Sequence, residues 1–182
     1  MLNETDRGYA GWRAAWACAA GSFFASFPYY SFAVFLRPVS EEFGWSRESM
    51  AGGFAAMALV AAVSAPIVGR VIDRLGARRV ILPALTVIGL AVISLSMLTG
   101  SRAHLYAVCA VIGCASIGAS AVAYSRVIFG WFDRYRGRAL GLMLAGGMIS
   151  TIVLPPAVAA MIRSFGWRTA WLTLGIVIVL IG

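Results

Sequence analysis

One arginine, Arg126, stands inside a long apolar stretch, five residues before Trp131. On a helix that offset puts it about 7 Å deeper than the tryptophan, which reads as an interfacial residue. A charge within a membrane span costs roughly 2.5–3.5 kcal/mol on insertion scales, so it usually faces a cavity or a partner. Its neighbours at i−3, i−4 and i−7 are Ala123, Val122 and Ala119, and the two alanines leave space on one side. A guanidinium there could hold a substrate carboxylate by a bidentate pair; it could equally snorkel to the interface or pair with Asp73. Ser22, Ser26 and Tyr30 follow at i, i+4 and i+8, one helical stripe of hydroxyls with Tyr29 beside it. Such a stripe supplies the hydrogen bonds of a water-filled cavity, or packs helices together. Asp73 lies in the charged turn from Gly69 to Arg79, where it could pair with Arg74, with a later loop arginine, or with a helix N-terminus.

The elements that carry these residues are membrane spans. The chain of 182 residues is 61% hydrophobic and 12% charged, with a mean hydropathy of +0.87, which excludes a soluble globular domain. Its net charge of +8 comes from fifteen arginines and no lysine, most of them in short loops between apolar runs. That placement reads as membrane flanks and not as a nucleic-acid surface. Residues 49–69 and 80–101 carry no charge, so the turn between them joins two spans. Further runs give spans near 14–36, 49–69, 80–100, 104–129 and 139–162, with a sixth, 169–182, about 21 Å long and incomplete. The ending inside a helix leads to the expectation of a fragment, or of a natural short terminus.

With the N-terminus in the cytoplasm, nine loop arginines fall inside and five outside, which favours that orientation. A shift of 90 residues lays Ala65-Pro66-Ile67-Val68 over Pro155-Pro156-Ala157-Val158, Ile72 over Ile162, Gly76 over Gly166 and Arg78 over Arg168. Three spans separate the copies, and an odd number of spans per repeat forces inverted topology. Cys18, Cys109 and Cys114 lie in apolar spans with no C-x-x-C pair, so they read as packing residues; no metal site and no cofactor are expected. Gly137, Gly141 and Ala145 form a small-residue ridge suited to close helix packing. No Asp or Glu lies within any span.

The spacing G-x-x-x-D-R-x-G-x-R-R over Gly69, Asp73, Arg74, Gly76, Arg78 and Arg79 resembles the loop between helices 2 and 3 of the major facilitator superfamily. Glu41 to Arg47, Trp131 to Gly141, Leu154-Pro155-Pro156 and Phe165-Gly166-Trp167-Arg168 narrow the resemblance to its bacterial monocarboxylate and oxalate/formate transporter branch. It covers about Gly11 to Gly182, half of a usual twelve-helix transporter. The resemblance implies an all-α polytopic fold, the N-terminal six-helix bundle of two inverted three-helix repeats, in the bacterial inner membrane. It implies alternating-access transport of a small organic anion, a monocarboxylate, with the missing C-terminal half as structural partner and the lipid bilayer as surroundings. Asp73 and its turn would then be a conformational latch, with Gly69 allowing a neighbouring helix to approach, and Tyr30 would face the cavity. The arginine common early in helix 4 would fall near Cys109, and the antiporter glycine-proline pair near Ser150-Thr151; both are absent, which does not support drug/proton antiport. Proton-coupling carboxylates and most substrate charges of that branch would lie in the second half.

Two other classes compete. A six-helix membrane protein that does not transport, or a self-associating half-transporter, would have the same spans. Gly118-Ala119-Ser120-Ala121 is similar to the serine motif of rhomboid intramembrane proteases, but His104 begins the same helix about 24 Å away by rise, too far to serve as base. The chain is therefore not expected to be an enzyme.

Overall fold

The computed structural model describes residues 4–181, with side chains from Gly11 onward; Arg7's side chain and Gly182, the last residue of the expected sixth span, lie outside it. Seven helical stretches account for nearly all of it: α1 (Glu4–Ala25), α2 (Phe27–Phe43), α3 (Arg47–Leu75), α4 (Ala77–Ser96), α5 (Arg102–Gly118), α6 (Ala121–Trp131) and α7 (Arg136–Ile181). They combine into five helical runs long and apolar enough to cross a membrane. Two expected spans depart from a single regular helix. Residues 14–36 only loosen at Ser26, which keeps helical backbone (φ −78°, ψ −17°) and its N–H bond to Ser22 O at 3.2 Å. Its hydroxyl also bonds Ser22 O at 2.8 Å, while Pro28 withdraws an N–H from the ladder. Residues 104–129 break at Ala119–Ser120, where Ser120 takes extended backbone (φ −79°, ψ 165°).

The fifth and sixth expected spans form one run, α7, broken at Gly166 (φ 81°, ψ 162°). The chain reverses there. Phe132, just before α7, packs on Gly11 and Trp12 near the start of α1, and a Cβ on Gly147 would meet Ser22 and Ser26 near its end, so the first limb runs alongside α1 in the same direction. On the second limb Arg168 bonds to Glu42, Trp171 stacks on Phe35 at 3.7 Å, and Ile181 reaches Ala14 and Ala17 near the start of α1. Gly76, the one residue between α3 and α4, has nearly the same backbone (φ 85°, ψ 144°) as Gly166. Only glycine adopts that region readily, which lets each reversal be made at a single residue.

Helix ends are capped by local side chains. Ser46 accepts from Ser49 N at the start of α3 and Ser101 from His104 N at the start of α5, each satisfying an otherwise orphan amide. The interior is apolar, centred on fully buried Phe27, Phe35, Met57, Ile88, Ile128 and Val158. Burial is uneven between helices. In the most apolar window of α3 only 17% of residues are buried and in that of α7 22%, against 44–50% for the others. Leu59, Val63 and Ile67 on α3, and Met148, Ile149 and Ile152 on α7, stand more than half exposed. Surface of that apolarity needs lipid or another protein against it.

Three expected packing features differ. A Cβ on Gly69 would meet nothing within 4 Å, so no part of the described chain uses that glycine for close approach. The same holds for Gly137 and Gly141; the tight contact of the first α7 limb is at Gly146 instead, because the ridge faces away from α1. Cys18 and Cys109 are buried as expected of packing residues, whereas Cys114 is exposed.

Candidate functional site

The α1–α2 junction at Ser26 and the helix break at Ser120 line one cavity. Ser26 and Tyr30 line it from the α1–α2 junction, Ser116 and Ser120 from the α5–α6 break, Thr151 from the first α7 limb, and Phe54 from α3. Its volume is about 730 Å³, within the range of small-molecule sites. Tyr29 also belongs to this wall, its Oη 2.8 Å from Ser116 Oγ. No charged side chain lines the cavity. It is a hydroxyl-rich recess bounded by the exposed faces of α3 and α7, and it can hydrogen-bond a polar solute without neutralising its charge.

Of the residues singled out for substrate contact, Tyr29, Tyr30 and Ser26 come together here and Arg126 does not. Arg126 Nη1 donates to Asp73 Oδ1, and the pair sits in a separate cleft of about 570 Å³ with Gly76, Arg78, Arg79 and Trp131. The charged turn thus joins α3 to α6, with Asp73 bonded to Arg126 and not to its neighbour Arg74. Both side chains are about half exposed, 45% for Arg126 and 53% for Asp73. That exposure lets a partner element reach them.

A second polar clamp lies at the opposite end of the bundle. Glu42, near the end of α2, accepts Trp167 Nε1 and Arg168 Nη1, each at 2.6 Å, and Arg168 Nη2 reaches Leu98 O at 3.3 Å. The guanidinium lies 4.2 Å from the Trp167 ring centroid. These contacts pin the Gly166 reversal onto the first span. Sequence reading passed over the clamp because its partners lie 125 and 126 residues apart. It likewise passed over Ser116 and Thr151 as cavity residues. The repetition of Ser116 and Ser120 at i, i+4 was the available signal. Glu42→Gln removes the charge from a half-exposed network, so a loss of about 1 kcal/mol is expected, a fall of roughly 2–4 °C in melting temperature in detergent.

Ser120 has no histidine beside it. His104 Nε2 is 2.9 Å from Ser94 Oγ, and His104 is not among the residues that line the cavity with Ser120. Among the described residues no group of three or more His, Cys, Asp or Glu could hold a metal ion.

Apolar helical runs with exposed apolar faces, enclosing a polar recess, define a multi-pass integral membrane protein. The family model of the Major Facilitator Superfamily matches residues 18–182, and the chain belongs to that superfamily. Among curated proteins it is similar to monocarboxylate transporter 11 of Mus musculus, 32% identical over 176 residues that cover 92% of this chain and 38% of the mouse protein. It is similar over shorter stretches to a probable L-galactonate transporter of Escherichia coli (40% over 52 residues; 28% of this chain and 12% of that protein). Another short match is to the riboflavin transporter RibJ of Trypanosoma brucei brucei (42% over 41 residues; 22% and 8%). The chain spans at most 38% of the length of these relatives.

Proposed function

We propose that this chain is the N-terminal six-helix bundle of an alternating-access secondary transporter for small organic anions, monocarboxylates in particular. The observation that carries the reading is the hydroxyl-lined recess between Ser26 and the helix break at Ser120, open between the exposed apolar faces of α3 and α7. Polar sites at interrupted helices are how secondary transporters hold a solute within the bilayer. The second half of the transporter covers those apolar faces, closes the recess, and supplies the cation that a carboxylate requires, since this wall has none. The matching reversals at Gly76 and Gly166 support two inverted three-helix repeats. The mouse relative's name, monocarboxylate transporter, supports the substrate class. Arginine placement supports a cytoplasmic N-terminus, and the motifs support the bacterial inner membrane.

Asp73, with Gly69, Arg74, Gly76, Arg78 and Arg79, acts in this reading as the latch between halves. Arg126 serves that latch through Asp73. Tyr30 contacts substrate: its side chain is half exposed at the recess, and it makes no hydrogen bond among the described residues. The test is uptake of labelled lactate and pyruvate by the full-length protein in liposomes. Saturable uptake of either supports the proposal, and no uptake of any small carboxylate by well-folded protein sinks it. Tyr30→Phe is expected to raise KM about tenfold for every carboxylate transported, the loss of one hydrogen bond to a charged group, with little change in kcat. An unchanged KM would remove Tyr30 from the site.

A further inference from the structure

The hydroxyls of the recess differ in what they can still donate. Ser116 Oγ lies 2.8 Å from Gly113 O and 2.8 Å from Tyr29 Oη. A carbonyl oxygen only accepts, so the single Ser116 hydrogen goes to Gly113; otherwise two oxygens would face each other at that distance with no proton between them. Tyr29 must then donate to Ser116. Its one phenolic hydrogen is spent within the wall, and only lone pairs remain for a solute. Ser26 and Thr151 are committed in the same way, to Ser22 O at 2.8 Å and Met148 O at 2.7 Å. Tyr30, Ser120 and Ser22 make no side-chain hydrogen bond among the described residues and keep their protons.

The recess thus presents acceptors only at Tyr29, Ser26 and Thr151, and free donors at Tyr30, Ser120 and Ser22. A carboxylate oxygen or a 2-oxo group can bind Tyr30 but has nothing to offer Tyr29. A hydroxyl on the carbon next to the carboxylate can donate to Tyr29 while its carboxylate accepts from Tyr30. We propose that Tyr29, held as an acceptor by Ser116, is a specificity-determining residue that reads a hydroxyl donor, so that the transporter favours 2-hydroxy carboxylates over their 2-oxo and unsubstituted analogues. This rests on the transport reading above and assigns the part of the substrate that this wall recognises. A site built to pair a hydroxyl leaves a desolvated acceptor unpaired when the hydroxyl is missing, which here corresponds to a preference of about tenfold.

The experiment is inhibition of labelled lactate uptake by unlabelled lactate, pyruvate and propionate, with the full-length protein in liposomes. Lactate should compete about tenfold better than the other two. Tyr29→Phe should weaken lactate alone, bringing all three within about twofold. Ser116→Ala should release the Tyr29 proton toward the recess and strengthen pyruvate severalfold, and it carries the test if Tyr29→Phe fails to fold. Equal competition by all three in the unmodified protein overturns the inference while leaving carboxylate transport standing, as does an equal weakening of all three by Tyr29→Phe. Absence of uptake of all three removes the transport reading and this inference with it.

Discussion

On the transport reading proposed above, Asp73→Asn is expected to reduce the uptake rate at least tenfold while membrane insertion and KM stay near normal. The carboxylate is the acid that the structure places on Arg126, and Arg78 and Arg79 line the same cleft. Neutralising it removes the bond between α3 and α6 and leaves several guanidinium groups close together without their counter-charge. Half-exposed ion pairs contribute only about 0.2–1 kcal/mol to stability, too little to unfold a bundle held by apolar packing. A tenfold change in rate corresponds to about 1.4 kcal/mol, more than the half-exposed pair supplies, so it requires a transport state in which the pair is covered and strengthened and another in which it breaks. Arg126→Ala should give the same loss, and the double variant should be no worse than either single one, since both remove one interaction. This cycle also separates the two roles open to Arg126. A substrate-holding arginine would raise KM on truncation with Asp73→Asn leaving KM alone, whereas a latch partner lowers kcat together with Asp73. Normal uptake in Asp73→Asn would show the turn to be an ordinary solvated loop.

Gly113→Ala should be the most destabilising single-methyl change in the bundle, together with Gly146→Ala. A Cβ on Gly113 would lie 2.2 Å from Met57 O, and one on Gly146 the same distance from Ala19 O. Both obstacles are backbone atoms, so no rotamer change relieves them; whole helices, α3 from α5 or α1 from α7, must move apart. Overpacking of this kind typically costs 1–3 kcal/mol, and Val or Leu at either position should leave no monodisperse protein. Gly137→Ala and Gly141→Ala are the matched controls, with nothing within 4 Å of the added methyl. They should be neutral, or stabilising by up to about 1 kcal/mol through helix propensity. Thermal unfolding of the four variants in detergent distinguishes the cases, and equal effects at all four would contradict the packing described here.

The contrast between those glycines shows where sequence reasoning stops. Gly113, Gly141 and Gly146 all sit in apolar helical segments, and nothing local tells a glycine in contact from one facing outward; Gly137 alone is flanked by charge, at Arg136 and Arg138. The membrane spans were legible because lipid demands long uncharged runs, and such runs are a property of the chain alone. The turn at Gly76 and its counterpart at Gly166 were legible too, since a single-residue reversal needs a residue that tolerates positive φ. The hydroxyl stripe of Ser22, Ser26 and Tyr30 was visible as a helical period. Its meaning was not, because Ser26 and the break at Ser120 make the cavity jointly, and those residues are 94 positions apart.

Charge shows the same division. The isolation of Arg126 in an apolar stretch required a partner or a cavity, and Asp73 was one of the partners the sequence offered. Which of these Arg126 reached depended on how α3 and α6 cross, a matter of side-chain packing between segments 53 positions apart. Glu42 with Trp167 and Arg168 was recognisable only as separate motif pieces, and became a clamp when the second α7 limb folded back on the first span. Local composition and periodicity thus determined that the chain crosses the membrane and where it turns, because lipid and backbone sterics act on each segment by itself. Tertiary structure decided which polar groups meet, because a hydrogen bond needs two atoms within about 3 Å and only the packed helices bring distant residues that close.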